Sequence, residues 1–219
     1  GVCRPKEHYM VRLDDRLEQM KKELVDRKKY FVVNKGRQYG KTTTLNALEQ
    51  YLQEEYTVLA LDFQLMGTGD FADEATFVRV FAGIVLDAIA LAETDDREEL
   101  QKPLRPLGDK TVCSSLNELF IRLSRMCQVA SKPIVLMIDE IDSASNNQVF
   151  LDFLAQMRGY YLKRDKVPAF HSVIFAGVYD IKNLKLKLRP EEEHQYNSPW
   201  NIAAKFKIDM SFSADQIAG

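Results

Sequence analysis

The unbroken apolar run Ile134–Val135–Leu136–Met137–Ile138 constrains the fold of this chain more than any other feature. A strand with one wet face alternates apolar and polar side chains. This run does not alternate, so both faces must be covered, as in a parallel sheet enclosed by helices. Tyr30–Val33, Thr57–Phe63 and Ser172–Ala176 are further strand-like runs, and Lys205–Ile208 reads as a fifth, more polar strand nearer an edge. Helical periodicity fills the intervals. Leu13, Leu17, Met20, Leu24 and Val25 share a face within residues 12–28, as do Leu45, Leu48, Tyr51 and Leu52. Residues 71–91 and 147–162 read as helices. A third, capped by Ser114 or Ser115, turns Leu116, Leu119, Phe120, Leu123, Met126 and Cys127 inward and runs to Ala130. Residues 64–71 read as a loop. Asp95–Lys110, with its charges, Pro103, Pro106 and Gly108, reads as an exposed connection. Strands alternating with helices predict an α/β fold, a parallel sheet with helices on both faces and ligands at the carboxyl ends of the strands.

Composition narrows the class. The chain has 219 residues, 46% hydrophobic and 28% charged, which suits a single globular α/β domain. Thirty Lys and Arg against 32 Asp and Glu give a net charge of -2, so the overall footprint of a nucleic-acid binder is missing, although a local basic patch is allowed. No apolar run approaches the ~18 residues of a membrane span, and no signal peptide opens the chain. The first residue is Gly1, as expected of a fragment or a processed chain. Cys113 and Cys127, read on one helix ~21 Å apart at helical rise, are beyond disulfide reach. With Cys3 they predict reduced thiols in a cytoplasmic protein.

The sharpest chemical signal lies between the first strand and the helix after it. The phosphate-binding pattern G-x-x-x-x-G-K-[ST] is met here by Lys35–Gly36–Arg37–Gln38–Tyr39–Gly40–Lys41–Thr42, followed by Thr43. Its first glycine is replaced by Lys35, with Gly36 one place later; Gly40–Lys41–Thr42 is intact. Backbone N–H groups of such a loop and of the helix start point at phosphate oxygens. Gly40 admits the backbone without a Cβ. Lys41 brings a charge to the phosphates, and the Thr42 hydroxyl can ligate Mg²⁺.

The third strand ends in Asp139–Glu140–Ile141–Asp142. A carboxylate there can hold the Mg²⁺ hydration shell, and Asp139 fits that role. Glu140 can orient and deprotonate an attacking water. Residues 57–130 leave room for a strand between the phosphate-loop strand and the Asp139 strand. With Glu140 beside Asp139, this resembles the additional-strand, catalytic-glutamate division of P-loop NTPases. It argues against a kinase or a small GTPase, and no guanine-reading N-K-x-D follows.

Several strings together carry a family resemblance: His8–Val11, Arg37–Leu45, Ile138–Asp142, Ala176–Leu184 and Asn197–Ala203. The chain resembles the bacterial AAA-like ATPases, relatives of the AAA+ and STAND groups, along nearly its whole length. The resemblance implies that Tyr9–Val11 closes over adenine and that Tyr179 or Asp180 senses the γ-phosphate. It also implies a helical lid or winged-helix region, of which 211–219 would be the start. The expected layout is one domain, with an N-terminal arm and helix at 1–28 and a nucleotide-binding core at 29–210.

Lys182, Lys185, Lys187 and Arg189 read as a solvated basic face opposite Glu191–Glu193. Contact with nucleic-acid phosphates, or an arginine finger in trans through Arg189, are the sharper alternatives. His8, His171 and His194 have no metal spacing and read as structural.

The expected sheet order is 5-1-4-3-2. The expected function is binding of ATP with Mg²⁺ and hydrolysis to ADP and phosphate, driving a conformational or assembly change. Expected partners are the nucleotide and either further copies of the chain or a C-terminal domain, with no membrane. A non-hydrolysing nucleotide switch and a DNA-associated ATPase of origin-recognition type are the alternatives.

Overall fold

The computed structural model describes residues 14–34, 41–109, 114–144 and 147–177. Helix α1 (residues 14–20) runs into a π-helical turn, Lys21–Val25. The order is then β1 (Tyr30–Asn34), α2 (Lys41–Leu52), β2 (Thr57–Asp62), α3 (Glu74–Leu91), α4 (Arg97–Gln101), α5 (Leu116–Val129), β3 (Ile134–Asp139), α6 (Gln148–Leu162) and β4 (Ser172–Gly177). The strands form one parallel sheet in the order β1-β4-β3-β2. This is the expected order without its fifth strand, since 205–208 lie outside the described residues.

The two-sided burial expected of β3 is met residue by residue. Ile134, Leu136 and Ile138 enter one core cluster, and Val135 and Met137 enter another. β4 divides in the same way, with Val173 and Phe175 on one side and Ile174 and Ala176 on the other. The first core contains the inward faces of α3, α5 and α6. The second contains Leu17, Met20, Leu24 and Val25 with Leu45, Leu48 and Leu52 of α2. The helix leaving β1 therefore packs on one face, and the helix leaving β3 on the other. β4 lies between those strands, and in parallel α/β sheets the ligand crevice lies at the carboxyl end of the sheet where successive helices switch faces.

Local chemistry sets the helix starts. Asp73 accepts the Thr76 N–H at 2.8 Å, so α3 begins at Glu74; Phe71, expected inside this helix, lies in a 3₁₀ turn, Thr68–Phe71. The expected loop 64–71 thus carries that turn and a second, Phe63–Leu65. Ser115 accepts the Glu118 N–H at 3.2 Å and caps α5. Tyr51, expected on the inner face of α2, is 40% exposed, because Leu45, Leu48 and Leu52 already fill the stripe.

The segment 95–109 corrects an expectation. It is not merely an exposed connection: it forms α4 and a 3₁₀ turn, Arg105–Gly108. Leu100, Leu104 and Leu107 recur at helical spacing and are buried. Arg105 grips Glu98 through two nitrogens at 2.7 and 2.8 Å on the outside. Cys127 packs against the same core, and burial pushes its thiol up to about 12; Cys3 and Cys113 lie outside the described residues. Among the described residues no helix is long and apolar enough to cross a membrane.

A polar cluster sits at the amino end of the sheet. The Tyr56 hydroxyl donates to Asp26 at 2.7 Å, and the Lys21 ammonium lies 3.1 Å from both Asp26 and Glu55. The His171 ring centre is 4.9 Å from that of Tyr56. Burial holds the His171 pKa below its ordinary value of 6.5, and Lys28 pushes the same way; a backbone bond to Val25 and the charge of Asp26 oppose them. The unfolded chain therefore takes up the His171 proton more readily than the folded one. The neutral ring's contribution is intact above about pH 6.5 and is lost as pH falls through the folded value. For Asp26, burial opposes ionisation, but Tyr56 and Lys21 outweigh it and hold the carboxyl below its ordinary 3.8, so its loss comes at lower pH. We expect the melting temperature to fall from pH 7 to pH 5, and His171→Gln to flatten that slope. Parallel slopes for the two proteins would refute the assignment.

Candidate functional site

The carboxyl edge of the sheet is built from strand ends held in register. Asn34 of β1 stands opposite Gly177 of β4, and Asp62 of β2 opposite Asp139 of β3. The two aspartates share a register but not an environment. Asp62 turns back on its own chain and accepts the Gln64 N–H at 2.8 Å, capping the Phe63–Leu65 turn. Asp139 is half-buried at the end of the internal strand β3.

Glu140 follows in the left-handed region, with φ 54° and ψ 40°. A residue with a Cβ adopts this conformation at a cost, and such strain collects at functional sites. Its N–H donates to Asp139 Oδ1 at 2.8 Å, so the aspartate bonds the peptide that carries the glutamate. The 3₁₀ turn Ile141–Ser143 comes next, anchored by Ile141 and Ala144, which are 1% and 0% exposed. The Ala144 carbonyl accepts the Asn147 side-chain amide at 3.2 Å, just ahead of α6. The two carboxylates thus stand on a short bridge fixed at both ends, one in the sheet and one in the core.

On the opposite flank, β1 ends at Asn34 and α2 begins at Lys41. Thr44, Leu45, Leu48 and Leu52 are buried, which fixes the helix against the sheet. The helix start therefore faces the same edge as Asp139 and Glu140. Lys41, Thr42 and Thr43 form its first turn, where backbone N–H groups have no partner inside the helix. Lys35, Gly36, Arg37, Gln38, Tyr39 and Gly40 lie outside the described residues, as do Tyr179, Asp180 and Arg189, and Tyr9–Val11.

The donor chemistry at this edge is hard oxygen: Asp139 by position, and Thr42 by sequence. Among the described residues no group of three or more His, Cys, Asp or Glu side chains could hold a metal on its own. Hard oxygen donors of this kind are those Mg²⁺ takes from a protein, usually one or two of them beside phosphate and water.

Three features were missed by sequence reasoning. The left-handed Glu140 and the self-capping of Asp62 leave no trace in residue type. Gly177 does, as a glycine at the end of a buried strand. A Cβ there would lie 2.9 Å from Ile141 Cγ1.

The fold is similar to that of a Walker-type ATPase of Pyrococcus abyssi, with a TM-score of 0.50 and 16% identity. The alignment covers 86% of this chain and 49% of that one, so the chain spans about half the length of this relative. No curated protein matches the chain. Residues 7–217 match the AAA-like domain family, a span that takes in all four strands and both flanks of the site. The chain therefore belongs to the AAA-like domain family.

Proposed function

We propose that this protein binds ATP with Mg²⁺ at the carboxyl edge of its sheet and hydrolyses it to ADP and phosphate, in the manner of the additional-strand, catalytic-glutamate NTPases. The observation that carries this reading is the Asp139–Glu140 bridge: two carboxylates at the end of a buried strand, with Glu140 held left-handed and tied to Asp139. The loop amides of 36–43 and the Lys41 ammonium hold the β- and γ-phosphates. Thr42 and Asp139 hold the metal, which neutralises phosphate charge when bound. Glu140 accepts a proton from water as the water oxygen bonds to the γ-phosphorus and the bond to the ADP oxygen breaks. Tyr179 or Asp180 senses the γ-phosphate, and Arg189 serves a neighbouring copy. Residues 1–219 act as one nucleotide-binding unit of a cytoplasmic protein, with further copies or a C-terminal domain as its partner. Kinship with the STAND ATPases belongs to the same reading.

Lys41→Ala tests the binding half. Losing a charge-assisted contact worth ~1.5–3 kcal/mol should weaken ATP at least ~10-fold by calorimetry. Equal affinities for the two proteins would refute phosphate binding by this loop. Asp139→Asn should make nucleotide affinity less dependent on added Mg²⁺, because the metal loses its carboxylate. An unchanged dependence on Mg²⁺ would remove Asp139 from the metal site.

A further inference from the structure

Gly177 is where the last described residue of β4 meets the turn that carries Glu140. A Cβ at this position would lie 2.9 Å from Ile141 Cγ1 and 3.1 Å from both carboxylate oxygens of Asp142. Non-bonded carbons settle at about 3.5–4.0 Å, so an added methyl group must displace something. Ile141 cannot withdraw easily: it is 1% exposed and belongs to the core cluster that holds Phe63 and Ala144. The Asp142 oxygens are met at the same time. The displacement with least resistance moves the Ile141–Ser143 turn as a unit, and Glu140 is the residue on which that turn hinges. Glu140 is also the residue least able to absorb the movement unchanged, because its left-handed backbone persists only while its surroundings hold it. Gly83 and Gly159 differ from Gly177 in that a Cβ on either would meet nothing within 4 Å.

We propose that Gly177 is a positioning residue for ATP hydrolysis: its bare backbone lets β4 press against Ile141 and Asp142 and so hold Glu140 in its left-handed pose. This rests on the hydrolytic reading above. It makes the end of β4 a mechanical support of the water-activating turn.

The test is steady-state ATP hydrolysis by the 219-residue chain with saturating Mg²⁺, comparing wild type, Gly177→Ala, Ile141→Ala, the double variant and Gly159→Ala. Misplacing a catalytic group by up to an ångström should lower kcat of Gly177→Ala by roughly 10- to 100-fold. KM for ATP should stay within about threefold, because ground-state phosphate contacts are untouched. Ile141→Ala removes the carbon that the new methyl meets most closely and leaves only the Asp142 oxygens, at the far end of a side chain, so the double variant should recover to within a few-fold of Ile141→Ala alone. Gly159→Ala should match wild type. A wild-type kcat in Gly177→Ala overturns the proposal, and so does a double variant whose two losses simply multiply. If Gly177→Ala does not fold, the double variant decides: hydrolysis near that of Ile141→Ala supports the proposal, while an inactive or unfolded double variant overturns it. Wild-type protein with no Glu140-dependent hydrolysis removes the reading above and this inference with it. Wild-type protein that hydrolyses ATP while Gly177→Ala is unaffected removes this inference alone.

Discussion

Glu140→Gln should lower ATP hydrolysis by ~10²–10⁴-fold, the usual worth of a general base, while ATP affinity stays within a few-fold. The substitution is nearly isosteric. The amide keeps hydrogen-bonding capacity toward a water but cannot take its proton. The backbone bond from residue 140 to Asp139 Oδ1 survives, since it is donated by the main chain. Binding and chemistry should therefore separate, in contrast with Lys41→Ala, where affinity itself drops. Single-turnover hydrolysis and calorimetry on the same preparations provide the two numbers. Because Arg189 is proposed to act between copies, the comparison belongs at high protein concentration, where an assembly can form. A slow wild-type rate that Glu140→Gln leaves unaltered there would refute the catalytic assignment. It would favour the alternative of a nucleotide switch that binds without hydrolysing.

The parts of this site legible in the sequence are those fixed by residue type. An apolar run that does not alternate announces a strand buried on both faces, and β3 divides its side chains between two cores accordingly. An acid at the end of that run lands at the carboxyl edge wherever the sheet lies. For the same reason residue type predicts a helix soon after Gly40, and α2 begins at Lys41. What could not be read is conformation. Nothing about a glutamate announces φ 54°, because a residue with a Cβ enters that region only where its tertiary surroundings hold it. Likewise Asp62 looks as good an acid as Asp139 until its carboxylate is seen capping its own turn. The segment 95–109 was misread for a different reason. Its prolines and charges are conspicuous, while Leu100, Leu104 and Leu107, which decide its burial, are diluted among them. Tertiary packing overrode a local signal there.

Phe153→Ala should destabilise the fold by about 3–5 kcal/mol, the usual cost of emptying a buried phenylalanine site. Phe153 of α6 is 0% exposed. Its ring centre lies 5.4 Å from Phe77 and 4.8 Å from Phe81 of α3, and 5.4 Å from Phe120 of α5. One side chain thus joins the three long helices that cover this face. Three rings held on two separate helices cannot all move in to fill the hole, which places the cost toward the upper part of the range. Against a total stability of about 5–15 kcal/mol for a domain, such a loss is severe. Phe153→Leu leaves most of the volume and should cost distinctly less. Urea unfolding of the three proteins measures the difference, and a Phe153→Ala loss under ~1 kcal/mol would contradict the packing described. The same cluster bears on function. Phe150, one turn before Phe153, lies 5.9 Å from Phe63, the residue that follows Asp62, and Ile141 belongs to the same core. The aromatic layer and Ile141, which anchors the turn after Glu140, therefore belong to one core. Hydrolysis by Phe153→Ala should fall with rising temperature well before the wild type does, with the loss following unfolding and the affinity of the folded fraction unchanged.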